Sequence, residues 1–275
     1  MEAQQAAGSD DRRQGLNHSV EKAMAIISAF DPEHPHLGVN ELARELGMSR
    51  SAVSRLLASL EVCGFVVQDS RTGRFRLGVS ALELAFAYYQ TNELVLRAAP
   101  YLADLARRLE MHTHLYGLSD GRMFRYFMVQ YPTGLGMLAG FRALAHATAG
   151  GKVLLAHVPP EELMEVIARH GLPAATSHTI VDADQLCAHL AEVRLQGYAL
   201  DDEESHVGTR CIAIPVRDAT AHVIAAASVS TQRTRLPDDR VPHVRDQLLE
   251  AVSQISPTLS YEAARSGARR ARRDK

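Results

Sequence analysis

The chain has 275 residues, of which 46% are apolar and 23% are charged, and its formal net charge is −2. This length favours two domains, and three scattered cysteines with no CxxC pair exclude a disulfide framework and a cysteine-based zinc knuckle. The polar N-terminus lacks the apolar stretch of a secretory signal, and no run approaches the roughly 20 apolar residues of a membrane span. We therefore expect a cytoplasmic protein with no membrane partner.

The first part of the chain predicts three short helices between Ser19 and Gly64, after a disordered segment at 1–16. Ser19 is the expected N-cap of the first helix, and apolar residues recur at helical spacing in all three. The second helix is expected to end at Gly47, and Ser49 caps the third after one intervening residue. Two short apolar runs, 65–67 and 75–77, then predict a hairpin around a turn rich in Asp, Ser and Gly. Residues 17–78 therefore predict a winged helix-turn-helix.

Candidate DNA contacts lie in the third helix and the hairpin, where five arginines face two acidic residues between positions 49 and 76. The leading end of a recognition helix enters the major groove, where Arg50 can pair with guanine. Arginines in the hairpin and further along the helix are better placed for phosphates. The predicted DNA-binding residues are Ser49, Arg50, Ser51, Ser54, Arg55, Arg71 and Arg74. The alternative is that these are exposed polar residues that only cap and solubilise a small domain.

A linker helix is predicted at 79–97, with a continuous helical pattern over 79–95 and a second helix around 100–109. Its wide apolar face suggests burial against a partner chain. From 98 to 262 the pattern becomes mixed, with strands in pairs and helices between them, which favours an α+β domain on an antiparallel sheet. The predicted strands are 114–118, 124–129, 211–216 and 224–229, and the predicted helices are 151–157, 161–169, 183–196 and 241–261. The basic tail 263–275 is expected to be disordered, either as a solvated end or as an arm touching DNA.

Three further patterns in this second part allow more than one interpretation. Gly150-Gly151 before a helix indicates either an anion site or a tight turn, and it is not a Walker A loop. The acidic run 201–204 is typical of a solvated loop. Ser228 and Ser230 share one strand face and either orient a carboxylate or face solvent.

No metal, cofactor or catalytic residue is predicted. His112 and His114 share a strand face, but no third ligand stands at a readable spacing. Cys211 lacks an identifiable base nearby in sequence, so an enzyme using it as a nucleophile is an alternative only. A DNA-binding protein without any ligand is the other alternative.

Taken together, these pieces resemble the IclR family of bacterial transcription regulators over about residues 17–261. In the first domain the resemblance is carried by the motifs SVEKA at 19–23, RLL at 55–57 and GRFRLG at 73–78. In the second it is carried by HATAGGK at 146–152, GYA at 197–199 with DEE at 202–204, and GTRCIA at 208–213. The resemblance implies a winged helix-turn-helix, a linker helix and a GAF-like α/β effector domain, assembled as a homodimer or homotetramer.

The resemblance also implies a pocket for a small organic acid. The effector-binding residues it predicts are Ala149, Gly150, Asp201, Cys211, Ser228 and Ser230. This chain has Ala149 where some members carry glycine, which could favour a different ligand. The apolar loop 135–144, with Met137, Leu138 and Phe141, is expected to close the pocket. The predicted function is a regulator that binds double-stranded operator DNA and responds to an organic acid, governing a catabolic operon.

Overall fold

The computed structural model describes residues 17–119, 121–136 and 142–255. The chain divides between Thr91 and Asn92 into two compact units. The segments predicted to be disordered, 1–16 and 263–275, lie outside the described residues, as do Met137, Leu138 and Phe141. No helix in the described ranges is long and apolar enough to cross a membrane.

The first unit is a three-helix domain with a small hairpin, as the sequence predicts, followed by a fourth helix. Its elements are α1 (His18–Ser28), α2 (Val39–Glu45), α3 (Arg50–Val62), β1 (Val66–Gln68), β2 (Phe75–Leu77) and α4 (Val79–Thr91). Strands β1 and β2 pair antiparallel. The core of this domain is formed by one face each of α1, α2 and α3 together with Val66 and Phe75 from the hairpin, and α4 contributes no buried residue.

Local signals set the ends of these helices. The N-cap of α1 is Asn17, whose side chain accepts a hydrogen bond from the backbone N–H of Ser19, so the expected cap at Ser19 is wrong by two residues. Ser49 caps α3 as predicted. Gly47 has a φ of 63°, a left-handed conformation that glycine adopts without steric cost, and it allows the tight turn between α2 and α3.

The second unit is built on one antiparallel sheet of seven strands in the order β5-β4-β3-β9-β8-β7, with β6 paired to β4. Its strands are β3 (His112–Ser119), β4 (Arg122–Gln130), β5 (Gly134–Gly136), β6 (Arg142–Ala143), β7 (Ala199–Asp202), β8 (Thr209–Arg217) and β9 (Val223–Gln232). Its α-helices are α5 (Glu93–Leu109), α6 (Ala149–Leu155), α7 (Pro160–His170), α8 (Ala183–Gln196) and α9 (Val241–Ile255). The α+β class with an antiparallel sheet is confirmed.

Helices cover both faces of this sheet. Helices α5 and α9 contact each other and strands β3, β8 and β9, and Thr113 on this face donates a hydrogen bond to the carbonyl of Leu102 in α5. Successive side chains of a strand alternate in direction, so His114 and Tyr116 lie on the other face. Helix α6 packs on that second face, in a core that includes Tyr116 and Ala213.

The predicted linker differs from the structure at one position. The helical pattern of 79–95 is interrupted at Asn92, whose side-chain oxygen accepts a hydrogen bond from the N–H of Val95 and caps a new helix. The second helix therefore begins at Glu93 rather than near Pro100. An Asn at this position favours a cap over helix continuation because its side chain competes for backbone hydrogen bonds.

Candidate functional site

The leading end of α3 forms an exposed polar surface in the first unit. Val53, Leu57 and Leu60 are buried in the domain core, which turns the opposite side of the helix outward. Ser49, Arg50, Ser51, Ser54 and Arg55 are all exposed. The Ser49 hydroxyl accepts a hydrogen bond of 3.3 Å from the N–H of Ala52, so this serine already has a capping role.

Three arginines give this surface its positive charge. Arg50 and Arg55 on α3 and Arg71 in the hairpin turn are exposed, and within the described part of the chain their guanidinium groups form no ion pair. The turn is fixed by Asp69, whose carboxylate accepts hydrogen bonds from the N–H groups of Arg71 and Thr72. These exposed cations are available to a polyanion such as DNA.

Arg74 has a different environment from the other predicted contacts. Its guanidinium lies 2.6 Å from the carboxylate of Glu41 and donates to the carbonyl of His36 at 3.0 Å. The Glu41 carboxylate also accepts a hydrogen bond from the N–H of Gly38, and this bond, followed by Arg74, lowers the pKa of Glu41. Arg74 therefore joins the hairpin to the start of α2, a structural role that competes with the predicted phosphate contact.

A cavity of about 780 Å³ lies in the second unit on the face of the sheet that carries α6. Apolar residues of α7, among them Val166 and Ile167, form part of its wall. All six residues predicted to bind an effector line this one cavity: Ala149, Gly150, Asp201, Cys211, Ser228 and Ser230. Ala143 and Leu144, from the loop expected to close the pocket, also line it.

Strand register explains why four of these residues meet. Asp201 in β7 pairs with Cys211 in β8, and Cys211 pairs with Ser230 in β9. Ser228 pairs with His114 in β3. Because residues paired across a sheet point to the same face, these side chains form a polar floor beneath the cavity.

His114 also lines the cavity, whereas the sequence analysis considered it only as a possible metal ligand. Its Nε2 lies 2.7 Å from the Ser230 hydroxyl, and its ring stacks on Tyr116 with a centroid distance of 5.4 Å. Burial, with a contribution from nearby Arg125, lowers the pKa of His114 to about 3, so the imidazole is neutral at physiological pH. Its Nδ1 is buried and has no hydrogen-bond partner among the described residues.

Tyr116 extends the polar floor toward β4. Burial raises the pKa of its hydroxyl, which stays protonated, while the side chains of Arg125 and Ser228 act in the opposite direction. Arg125 stands opposite Tyr116 in β4 and also lines the cavity. An arginine and a tyrosine in two neighbouring strands carry no local sequence signal, since only the register brings them together.

Asp201 and Glu204 are buried, so the expectation of a solvated acidic loop is wrong for these two residues. One oxygen of Asp201 accepts hydrogen bonds from the N–H groups of Glu204 and Ser205, and the other accepts one from the Ser205 hydroxyl. Burial raises the pKa of Asp201, although these hydrogen bonds act to lower it. The Asp201 carboxylate therefore has partners already, which makes it a weaker candidate for direct ligand contact.

A buried ion pair lies beside this loop. Lys152 in α6 has no exposed surface, and its ammonium group contacts the carboxylate of Glu204. Burial raises the pKa of Glu204, with Lys152 acting in the opposite direction. The pair ties α6 to the segment after β7, although the two residues are 52 positions apart in sequence.

The Gly-Gly pair has a packing explanation. A Cβ at Gly151 would lie 2.2 Å from the carbonyl oxygen of Ala145, and one at Gly150 would lie 2.6 Å from the ring of Tyr116. The Thr148 hydroxyl accepts a hydrogen bond from the N–H of Gly151. Close packing accounts for both glycines, and the anion site at this position stays a prediction.

Cys211, His112 and His114 have environments that do not match the nucleophile and the metal pair considered from the sequence. Burial raises the pKa of the Cys211 thiol, which keeps it protonated, whereas a nucleophilic cysteine needs a thiolate. His112 accepts a hydrogen bond from the N–H of Tyr131, and His114 is engaged with Ser230. In the described ranges no group of three metal-ligating side chains is assembled.

Comparison with known families and proteins gives one consistent result. Residues 19–70 match the model of the IclR helix-turn-helix domain, and residues 86–257 match that of the bacterial transcriptional regulator IclR C-terminal region. The HTH-type transcriptional regulator XynR of Escherichia coli is 34% identical over 249 residues, covering 89% of this chain and 98% of that protein.

Two solved structures show the same fold. An IclR transcriptional regulator from Alicyclobacillus acidocaldarius has a TM-score of 0.77 at 24% identity, covering 88% of this chain and 98% of its own. An IclR homologue from Microbacterium hydrocarbonoxydans, complexed with 4-hydroxybenzoate, has a TM-score of 0.71 at 23% identity, covering 90% of this chain and 99% of its own.

Proposed function

This chain belongs to the IclR family of bacterial transcription regulators, and on that premise we propose that a small organic acid bound in the cavity controls its binding to operator DNA. It is a DNA-binding transcription regulator with an N-terminal helix-turn-helix domain and a C-terminal effector domain. The operator is proposed to govern a catabolic operon, because a small organic acid is the kind of molecule that such an operon consumes.

The exposed end of α3 supports the proposed mode of DNA binding. We expect Arg50 and the neighbouring serines, at the exposed leading end of α3, to meet base edges, and we expect Arg55 and Arg71 to meet phosphates. We assign base contact to Ser49, Arg50, Ser51 and Ser54. Arg55 and Arg71 are assigned to the phosphates of the DNA backbone, and Arg74 is assigned to holding the hairpin of the protein in place.

The apolar surface of α4 supports a homodimer, with a homotetramer as the larger alternative. None of the residues of α4 is buried, and Val79, Leu82 and Phe86, which share one side of the helix, are each more than half exposed. A second copy of the chain would cover this stripe. Two recognition helices about 34 Å apart would then read a pseudo-palindromic operator.

The single observation that carries the effector proposal is the cavity itself. It combines apolar walls with a polar floor that includes the buried residues Ser228 and His114 and the half-buried Ser230. A pocket of this kind binds a small molecule with an apolar body and a few polar atoms. The relative complexed with 4-hydroxybenzoate supports an acid of that description. An effector of this kind regulates only by preferring one state of the protein, typically by about 1–3 kcal/mol.

The direct test is fluorescence anisotropy with labelled DNA fragments from beside the gene, in the presence of excess random DNA at moderate salt. We expect one fragment to outcompete random DNA and an organic acid to change its affinity. If no fragment does so, the proposed operator binding is wrong. If DNA binding is specific but calorimetry with small carboxylic acids shows no heat of binding, the protein is a ligand-independent DNA binder.

A variant separates the two sites. Replacing Ser228 and Ser230 with alanine should weaken the response to the acid while operator affinity without the acid stays the same. Ser253→Ala, at an exposed position of α9, is the matched control and should leave the response unchanged.

A further inference from the structure

Arg125 brings a permanent positive charge to the cavity at a place that the predicted effector residues do not include. It lies in β4 opposite Tyr116, and both residues line the cavity. The side chains of Arg125 and Ser228 both influence the Tyr116 hydroxyl, so the guanidinium stands at one end of a continuous polar floor.

The charges around the cavity favour an anion at this end. Asp201 is the one carboxylate that lines the cavity among the described residues, and both of its oxygens already accept hydrogen bonds. His114, between Arg125 and Ser230, is neutral. A guanidinium beside a partly apolar cavity presents donors in a fixed fork that matches a carboxylate.

Strand spacing gives the separation of the two polar ends. Arg125 lies on β4, whereas Ser228 and Ser230 lie on β9, and β3 alone stands between these strands. Two strand spacings correspond to roughly 10 Å across the sheet. Along β3, Arg125 is opposite Tyr116 whereas Ser228 is opposite His114, and this offset of two residues adds roughly 7 Å in the strand direction, part of which the long arginine side chain can span. A small molecule lying across β3 can therefore reach the serines with one end and the arginine with the other.

We propose that Arg125 is a specificity-determining residue and that the effector is a small dicarboxylate, one carboxylate at Ser228 and Ser230 and the other at Arg125. This inference rests on the proposed function, since it names the class of acid that the cavity selects. Tyr116 acts as a positioning residue that holds the guanidinium toward the ligand.

The test compares monocarboxylates with dicarboxylates of the same carbon skeleton by isothermal titration calorimetry on the full chain. The pairs are butyrate with succinate, hexanoate with adipate, and benzoate with terephthalate. We expect at least one dicarboxylate to bind about 10- to 100-fold more tightly than its partner, the range typical of an added charged hydrogen bond. Equal affinity within all three pairs would overturn the inference.

Variants assign the preference to Arg125. Arg125→Gln should reduce the affinity for the preferred dicarboxylate about 10- to 100-fold and change the affinity for the matched monocarboxylate less than threefold. Arg194→Gln is the charge-matched control, since Arg194 is an exposed residue of α8 that does not line the cavity. An equal loss in the Arg194 variant, or an equal loss for both members of a pair, would show a general field effect and refute the inference.

A conservative variant covers the case in which the glutamine variant does not fold. Arg125→Lys keeps the charge and loses the fork, so it should bind the dicarboxylate less tightly than the wild type but still prefer it over the monocarboxylate. No difference from the wild type would refute a role for the fork. Absence of binding by every acid to the wild type would instead refute the proposed function, so the two failures are distinguishable.

Discussion

The two units of this protein differ in where their charged groups lie, at the surface in the first unit and in the interior in the second. The first unit keeps Arg50, Arg55 and Arg71 on its surface without ion pairs among the described residues. The second buries Lys152 and Glu204 against each other and lines an internal cavity with polar side chains. Exposed cations suit a large polyanion that binds from outside, whereas buried polar groups suit a small ligand that must leave water to enter.

The largest effect should come from breaking the buried ion pair. Lys152→Met leaves the Glu204 carboxylate buried without its counter-charge, and we expect the free energy of unfolding of the second unit to fall by about 3–5 kcal/mol. Chemical denaturation followed by circular dichroism measures this change. The double variant Lys152→Met with Glu204→Gln removes both charges and should recover most of the loss. If the free energy of unfolding of the Lys152→Met variant lies within 1 kcal/mol of the wild-type value, the buried ion pair is contradicted.

The next effect concerns pH and the neutral state of His114. Its pKa is about 3 in the folded protein and 6.5 in the reference state, so the unfolded chain binds a proton that the folded protein does not. Stability from this group is complete above pH 6.5 and is lost as pH falls toward 3. At 1.36 kcal/mol for each pKa unit, the loss is about 3 kcal/mol between pH 7 and pH 4. His114→Gln should remove this part of the pH dependence in urea titrations. An unchanged slope would show that His114 is not buried as described.

In the first unit, the largest expected effect is on specific DNA affinity. Arg50→Ala should weaken operator binding by about 1–3 kcal/mol and reduce discrimination at one base pair. Arg55→Ala should instead weaken binding to all sequences. It should also reduce the slope of the logarithm of the binding constant against the logarithm of the salt concentration by about one. Anisotropy titrations at several salt concentrations distinguish the two. Identical behaviour of both variants would contradict the division into base and phosphate contacts.

The smallest expected effect distinguishes the roles of two arginines of the hairpin in stability and in DNA binding. Arg74→Ala removes the contacts to Glu41 and His36 and should slightly lower the melting temperature of the first unit. Arg71→Ala should leave the melting temperature unchanged and weaken DNA binding. Thermal unfolding and anisotropy on both variants provide the measurements. A larger loss of DNA affinity in the Arg74 variant would restore its role as a phosphate contact.

The first unit was largely predictable because its signals are local. The signals are the helical spacing of apolar residues, Ser49 as a cap and the glycine turns. Each lies within a few residues of the helix or helix end that it determines. The second unit was predictable in its long strands but not in the short β7, where Ala199–Asp202 includes two acidic residues and lacks the β-branched residues typical of strands. Arg125, Tyr116 and His114 meet only through strand register, and Lys152 meets Glu204 across 52 positions.

The contact between Gly150 and Tyr116 has a consequence for redesign. Any side chain at position 150 would enter the space of the aromatic ring, displace the tyrosine and disturb the guanidinium that it positions. A biosensor library aimed at new inducers should therefore keep these two residues fixed. Variation belongs at Val166 and Ile167, which line the cavity from helix α7 rather than from the strands of the polar floor.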